Sequence, residues 1–96
     1  MTTKHALARV CERVGIRDEE SAASFVESAA ALGLEPKAFR NAELRNYLDG
    51  KARTANRVVV HMGIVVVLGL DGSCITAYPL PSPLLDAYQK ETKKHD

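Results

Sequence analysis

Between Arg57 and Tyr78 the sequence changes grammar, and no other feature restricts the fold as strongly. Three short runs rich in β-branched residues follow one another: Val58-Val59-Val60, Ile64-Val65-Val66-Val67-Leu68 and Cys74-Ile75-Thr76-Ala77-Tyr78. Runs of this length and composition, bounded by glycine, read as strands. Asp71-Gly72 is a strong hairpin turn and His61-Met62-Gly63 supplies a second, so strands at about 57–60, 64–70 and 73–78 are expected to pair antiparallel in sequence order. Pro79, Pro81 and Pro83 then stop further sheet pairing. Ser82-Pro83 suits the start of a short last helix through Leu84, Leu85 and Tyr88, followed by a frayed tail from Lys90 to Asp96.

The first half has helical periods instead. Thr3 is the expected cap of a helix running to about Val14 and stopped by Gly15, with Leu7, Val10, Cys11 and Val14 as its buried stripe. His5, Arg9 and Arg13 form a second stripe, about 150° around that helix at 100° per residue, and so face water or a ligand. Asp18 caps a second helix whose Ala22, Phe25, Val26, Ala29 and Leu32 should be buried, with Gly33 ending it in a positive-φ conformation. Glu35-Pro36 opens a connection, and Asn41 can cap a short third helix through Leu44, Tyr47 and Leu48, closed by Gly50. Residues 51–56 read as an exposed loop. The expectation is an α+β fold in which two longer helices and a short one pack on a three-stranded antiparallel sheet, with a short C-terminal helix.

Register decides which side chains the sheet offers. With Asp71-Gly72 as a two-residue turn, Leu70 opposes Ser73, Val67 opposes Thr76 and Val65 opposes Tyr78. A two-residue loop at Met62-Gly63 would put Arg57 and His61 on one face with Ile64, Val66 and Leu68. A three-residue loop, His61-Met62-Gly63, instead collects Val58, Val60, Ile64, Val66, Leu68, Ile75 and Ala77 on one apolar face, and is the expected register. Arg57, Val59, Val65, Val67, Cys74, Thr76 and Tyr78 then share a half-polar face, with Arg57, Val67 and Thr76 in a row. That face is either a ligand-binding surface or the outer side of a small sheet.

Ninety-six residues suit one domain, and a 46% hydrophobic, 26% charged composition is that of a folded chain. With no apolar leader after Met1 and no run of roughly 18 apolar residues, the expected location is cytoplasmic, away from the membrane. Cys11 and Cys74 sit among apolar neighbours and are expected to be buried thiols. The net charge of +1 hides segregation: Asp18, Glu19, Glu20, Glu27 and Glu35 interrupt two basic stretches. Such runs are either solvated faces or one basic surface for a polyanion.

The chain carries no Walker loop, dinucleotide fingerprint, zincin motif, nucleophile elbow or paired-cysteine metal pattern. His5, His61 and His95 lack metal-ligand spacing, so no metal or other cofactor is expected. Arginine, histidine, threonine and tyrosine remain. That set suits metal-independent RNA cleavage, since cations stabilise charge on phosphate while His or Tyr moves the proton of the 2′-hydroxyl.

Lys4-His5-Ala6, Arg9, Arg13-Val14-Gly15-Ile16, the Ala-rich helix ending Ala31-Leu32-Gly33, the runs Val58-Val59-Val60 and Ile64-Val65-Val66-Val67, and Ile75-Thr76-Ala77-Tyr78-Pro79-Leu80-Pro81 together resemble a group of small bacterial and phage-associated proteins. That group is similar in turn to toxins of the RelE/barnase/EndoU/colicin-like ribonuclease fold. The resemblance implies helices before an antiparallel sheet, RNA as substrate and an antitoxin-like inhibitor as partner. It implies catalytic roles for His5, Arg9, Arg57 and Thr76; Arg13 on the same helical stripe and Tyr78 on the same sheet face are the expected substrate-binding residues. This chain departs from the pattern at Val60, where an aromatic is often seen, and in its scarcity of aromatics. Each residue also has a purely structural role open to it: the first-helix stripe as solvated surface, Arg57 as guard of an edge strand, Thr76 and Tyr78 as ordinary strand residues. A non-catalytic protein-interaction module, or a phage or mobile-element accessory protein of the same fold, is the alternative to an enzyme.

Overall fold

The computed structural model describes residues 4–51 and 57–92. Four helices, α1 (Lys4–Val14), α2 (Glu19–Leu32), α3 (Ala42–Lys51) and α4 (Ser82–Thr92), surround three strands, β1 (Arg57–His61), β2 (Ile64–Leu68) and β3 (Cys74–Pro79). This is the expected α+β fold, with an antiparallel sheet in the order β1-β2-β3. The expected cap at Thr3, the loop 52–56 and His95 lie outside the described residues. No helix among the described residues is long and apolar enough to cross a membrane.

Local chemistry accounts for the helix ends. Asp18 accepts a hydrogen bond from the Ser21 amide at 2.7 Å, and Asn41 does the same for Leu44 at 2.9 Å, as their cap positions require. Gly15 ends α1 at φ 79. Gly50 stops nothing: α3 continues to Lys51. α4 likewise extends past Lys90 to Thr92.

Gly33 corrects the sequence reading. Its φ is −64, an ordinary value, so it is not there for a left-handed turn. A β-carbon at this position would lie 2.8 Å from both Cβ and Cγ2 of Val59 and would collide with the Ala29 carbonyl oxygen. Glycine lets the end of α2 approach β1 closely. Leu34 then exchanges two backbone hydrogen bonds with Val60, each 2.9 Å, and closes the outer edge of β1. Leu32 is 70% exposed, outside the core in which the helical period placed it.

The β1–β2 register is one residue off the expected one. His61 pairs with Ile64, Val59 with Val66 and Arg57 with Leu68, so the loop is the two-residue Met62-Gly63. Both loop residues have positive φ, 53 and 79, which suits the right-handed twist of a hairpin. Arg57 therefore shares a face with Val59 and Val66, and the row Arg57–Val67–Thr76 does not exist. The charges that argued against this register are handled at the margins. Arg57 binds groups at the end of α2, and His61 lies against Phe25 with ring centroids 5.5 Å apart.

The β2–β3 turn is also longer than expected. Gly69 pairs with Ser73 around Leu70-Asp71-Gly72, with Gly72 at φ 82. A bulge follows on β3: Leu68 faces Cys74 while Val67 faces Thr76, leaving Ile75 as the extra residue. The two departures cancel, and the expected partners Val67–Thr76 and Val65–Tyr78 are the observed ones. Ile75 is 50% exposed, whereas the expected register buried it.

Both faces of the sheet are covered, which replaces the expected half-polar face. Val59, Val66, Leu68, Cys74 and Ala77 pack under α1 and α2 with Val10, Ala22, Val26 and Ala29. Val58, Val60, Val65 and Val67 pack on the other side with Phe39, Leu44, Leu48 and Leu80, joined by Leu84, Leu85 and Tyr88 of α4. The sheet is the middle layer of three.

Candidate functional site at the outer edge of β3

The bulge at Ile75 sets the chemistry of the β3 edge. It leaves Cys74 and Ala77 in the α1–α2 core, while Thr76 and Tyr78 project toward the α3 side. α1 packs along β3 through Leu7, Val10, Cys11 and Val14, which keeps its polar stripe at the margin of the sheet. From that stripe Arg13 reaches around the edge, and its Nη1 donates to Thr76 Oγ1 at 2.8 Å.

Tyr78 lies next to this pair. Its hydroxyl oxygen is buried with no hydrogen-bond partner among the described residues. Burial pushes the phenol up to about 12; the Tyr47 hydroxyl adds to the rise and the Arg13 guanidinium opposes it. The Tyr47 hydroxyl comes close enough for weak hydrogen bonding to contribute to that rise, but no full hydrogen bond to Tyr78 Oη forms among the described residues.

α3 supplies the remaining wall. Tyr47 and Lys51 are four residues apart on one helical face, and the Lys51 ammonium sits 5.1 Å from the Tyr47 ring centroid and 5.8 Å from that of Tyr78. Among the described residues, neither Arg13 nor Lys51 has a carboxylate within ion-pairing range. Two uncompensated cations, two tyrosine rings and the Thr76 hydroxyl thus converge on one edge.

The six residues singled out from sequence divide in two. Arg13, Thr76 and Tyr78 come together. Arg9 is exposed one turn away on α1 and flanks the cluster, while His5, eight residues before Arg13, lies about 12 Å from it along the helix axis. Arg57 stands apart, on β1 and on the opposite face of the sheet. Its Nη1 donates to the Ala30 carbonyl at 2.9 Å and its Nε to Glu35 Oε2 at 3.2 Å, so it caps the C-terminal end of α2. Lys51 falls outside a helix closed at Gly50, and without it Tyr47 reads as packing alone; the observed helix puts both on one face.

Arg57→Ala is accordingly expected to act on stability. Both partners of the Arg57–Glu35 pair are about two-fifths exposed, so screening leaves a loss of about 1 kcal/mol, readable as a lower urea midpoint. An unchanged midpoint would remove the capping role.

Neither cysteine is in a disulfide. Burial pushes the Cys74 thiol up to about 11, and Cys11 is half-buried. Among the described residues, no group of three His, Cys, Asp or Glu side chains could hold a metal ion. No family model, curated protein or solved structure matches the chain.

Proposed function

We propose that this chain is a toxin-like protein that binds single-stranded RNA along the outer edge of β3. The observation that carries this reading is the Arg13–Thr76 hydrogen bond, which joins the basic stripe of α1 to a β3 hydroxyl beside Lys51 and two tyrosine rings. Cations without carboxylate partners attract phosphate, and tyrosine faces accept unstacked bases, a combination that favours single strands over duplexes. Arg13 and Lys51 would hold a strand phosphate there, and Tyr78, whose phenol burial keeps protonated at neutral pH, would donate a hydrogen bond to it. His5 is too far along α1 to serve the same phosphate.

The test is titration of a labelled single-stranded RNA with purified protein in EDTA at low salt, followed on a denaturing gel for cleavage. Salt-sensitive binding is expected, with Arg13→Ala and Lys51→Ala each weakening it on the order of tenfold. Folded wild-type protein that leaves RNA both unbound and intact would overturn the proposal. A protein-interaction role would then rest on Leu70, 90% exposed, beside the half-exposed Ile75 at the β2–β3 hairpin.

A further inference from the structure

A buried hydroxyl without a partner is costly, and such groups in folded proteins are kept for a reason. Among the described residues Tyr78 Oη is such a group, beside an arginine and a lysine with no carboxylate in ion-pairing range. Thr76 Oγ1 already accepts from Arg13, so its own hydrogen is available to donate. The guanidinium spends one N–H on Thr76 and keeps its others. The edge is therefore rich in donors.

We infer that Arg13, Thr76 and Tyr78 form a seat for a terminal phosphate, a phosphate monoester at the end of a strand. This rests on the RNA reading for the strand that carries the phosphate. Two features favour a monoester over the internal diester. A monoester presents three terminal oxygens to three kinds of donor, where a diester has two, and its charge near −2 at neutral pH matches the two cations. Lys51 provides access. Its ammonium rests on the rings of Tyr47 and Tyr78 at the exposed end of α3, and an exposed cation–π contact is weak enough to be exchanged for a phosphate. Binding then has the lysine end group leave the two rings for the ligand, with the Tyr78 hydroxyl donating beside it.

The seat makes an unusual demand on one variant. Tyr78→Phe removes an unsatisfied polar atom from the interior while deleting a ligand donor, so it should raise the thermal midpoint and weaken phosphate binding together. A tyrosine kept only for packing would not show that opposition. The experiment has two arms. In the first, inorganic phosphate is compared with chloride at matched ionic strength, and it should raise the midpoint of wild type but not of Tyr78→Phe or Arg13→Ala. In the second, a short RNA with a terminal phosphate should bind roughly tenfold more tightly than its hydroxyl-ended twin, and Tyr78→Phe or Thr76→Val should abolish the difference. No phosphate shift in wild type, or equal affinity for the two RNAs, would overturn the inference; equal, salt-sensitive affinity would still leave the RNA reading standing. A phosphate shift specific to wild type with neither RNA bound would keep the phosphate seat, discard the RNA strand and transfer the ligand to another phosphate monoester.

Discussion

Gly33→Ala is expected to lower stability by about 3 kcal/mol, or roughly 15 °C in thermal midpoint. The backbone of Gly33 is unstrained, so the loss comes from contact alone. The added methyl would meet the Cβ and Cγ2 of Val59, itself fully buried, and the carbonyl of Ala29, to which the Gly33 amide donates. None of these is the free end of a flexible side chain. Relief requires moving the end of α2 away from β1, and that movement pulls on the Leu34–Val60 bridge and the Arg57 contacts next to it. Differential scanning calorimetry of Gly33→Ala beside Gly50→Ala separates the causes, because a β-carbon at Gly50 meets nothing and the helix gains propensity there. Equal midpoints for the two variants would mean that α2 does not press on Val59.

Leu48→Ala should cost about 3 kcal/mol as well, by a different route. Leu44 and Leu48 are the fully buried residues of α3, and they hold it on Val58, Val60, Val65 and Val67. Truncating Leu48 leaves a cavity between helix and sheet that the rigid strand residues cannot fill. Leu32→Ala is the matched control: the same atoms are removed from a side chain 70% exposed, and the change should stay within about 0.5 kcal/mol. Urea unfolding of both variants measures the contrast, and similar midpoints would contradict the three-layer arrangement.

Much of the fold was readable because it is encoded locally. Asp18 and Asn41 announce helix starts, the Val10 stripe gives the buried side of α1, and the β-branched runs give three strands. The β1 register was not readable, for a physical reason. Alternation reveals register when one face of a sheet is wet, and here both are dry. Val58-Val59-Val60 and Val65-Val66-Val67 are buried without interruption, so either register hides them equally well. Avoiding charge in the core was then the remaining criterion, and it misled because Arg57 and His61 find partners at the strand ends. The bulge at Ile75 has no local signal either. The candidate site was half readable. The helical stripe put Arg13 outside the core, but its meeting with Thr76 and Tyr78 depends on α1 lying along β3, which is tertiary.

Two separate cores on either side of one sheet also set an order of opening. β2 is hydrogen-bonded on both edges and roofed on both faces, so its amides exchange only when the whole molecule comes apart. α4 is at the other extreme. It has no fully buried residue and is held by Leu84, Leu85 and Tyr88 and by Glu91, whose carboxylate accepts from the Arg40 and Asn41 amides at 2.6 and 3.0 Å. That carboxylate fastens the last helix to the start of α3, so release of α4 leaves the first turn of α3 without those contacts. Partial unfolding is therefore expected to start at α4 and to loosen the first turn of α3, while Leu44 and Leu48 keep the rest of that helix on the sheet. The edge cluster takes Arg13 from one layer and Tyr47 and Lys51 from the other, so its geometry depends on both cores at once.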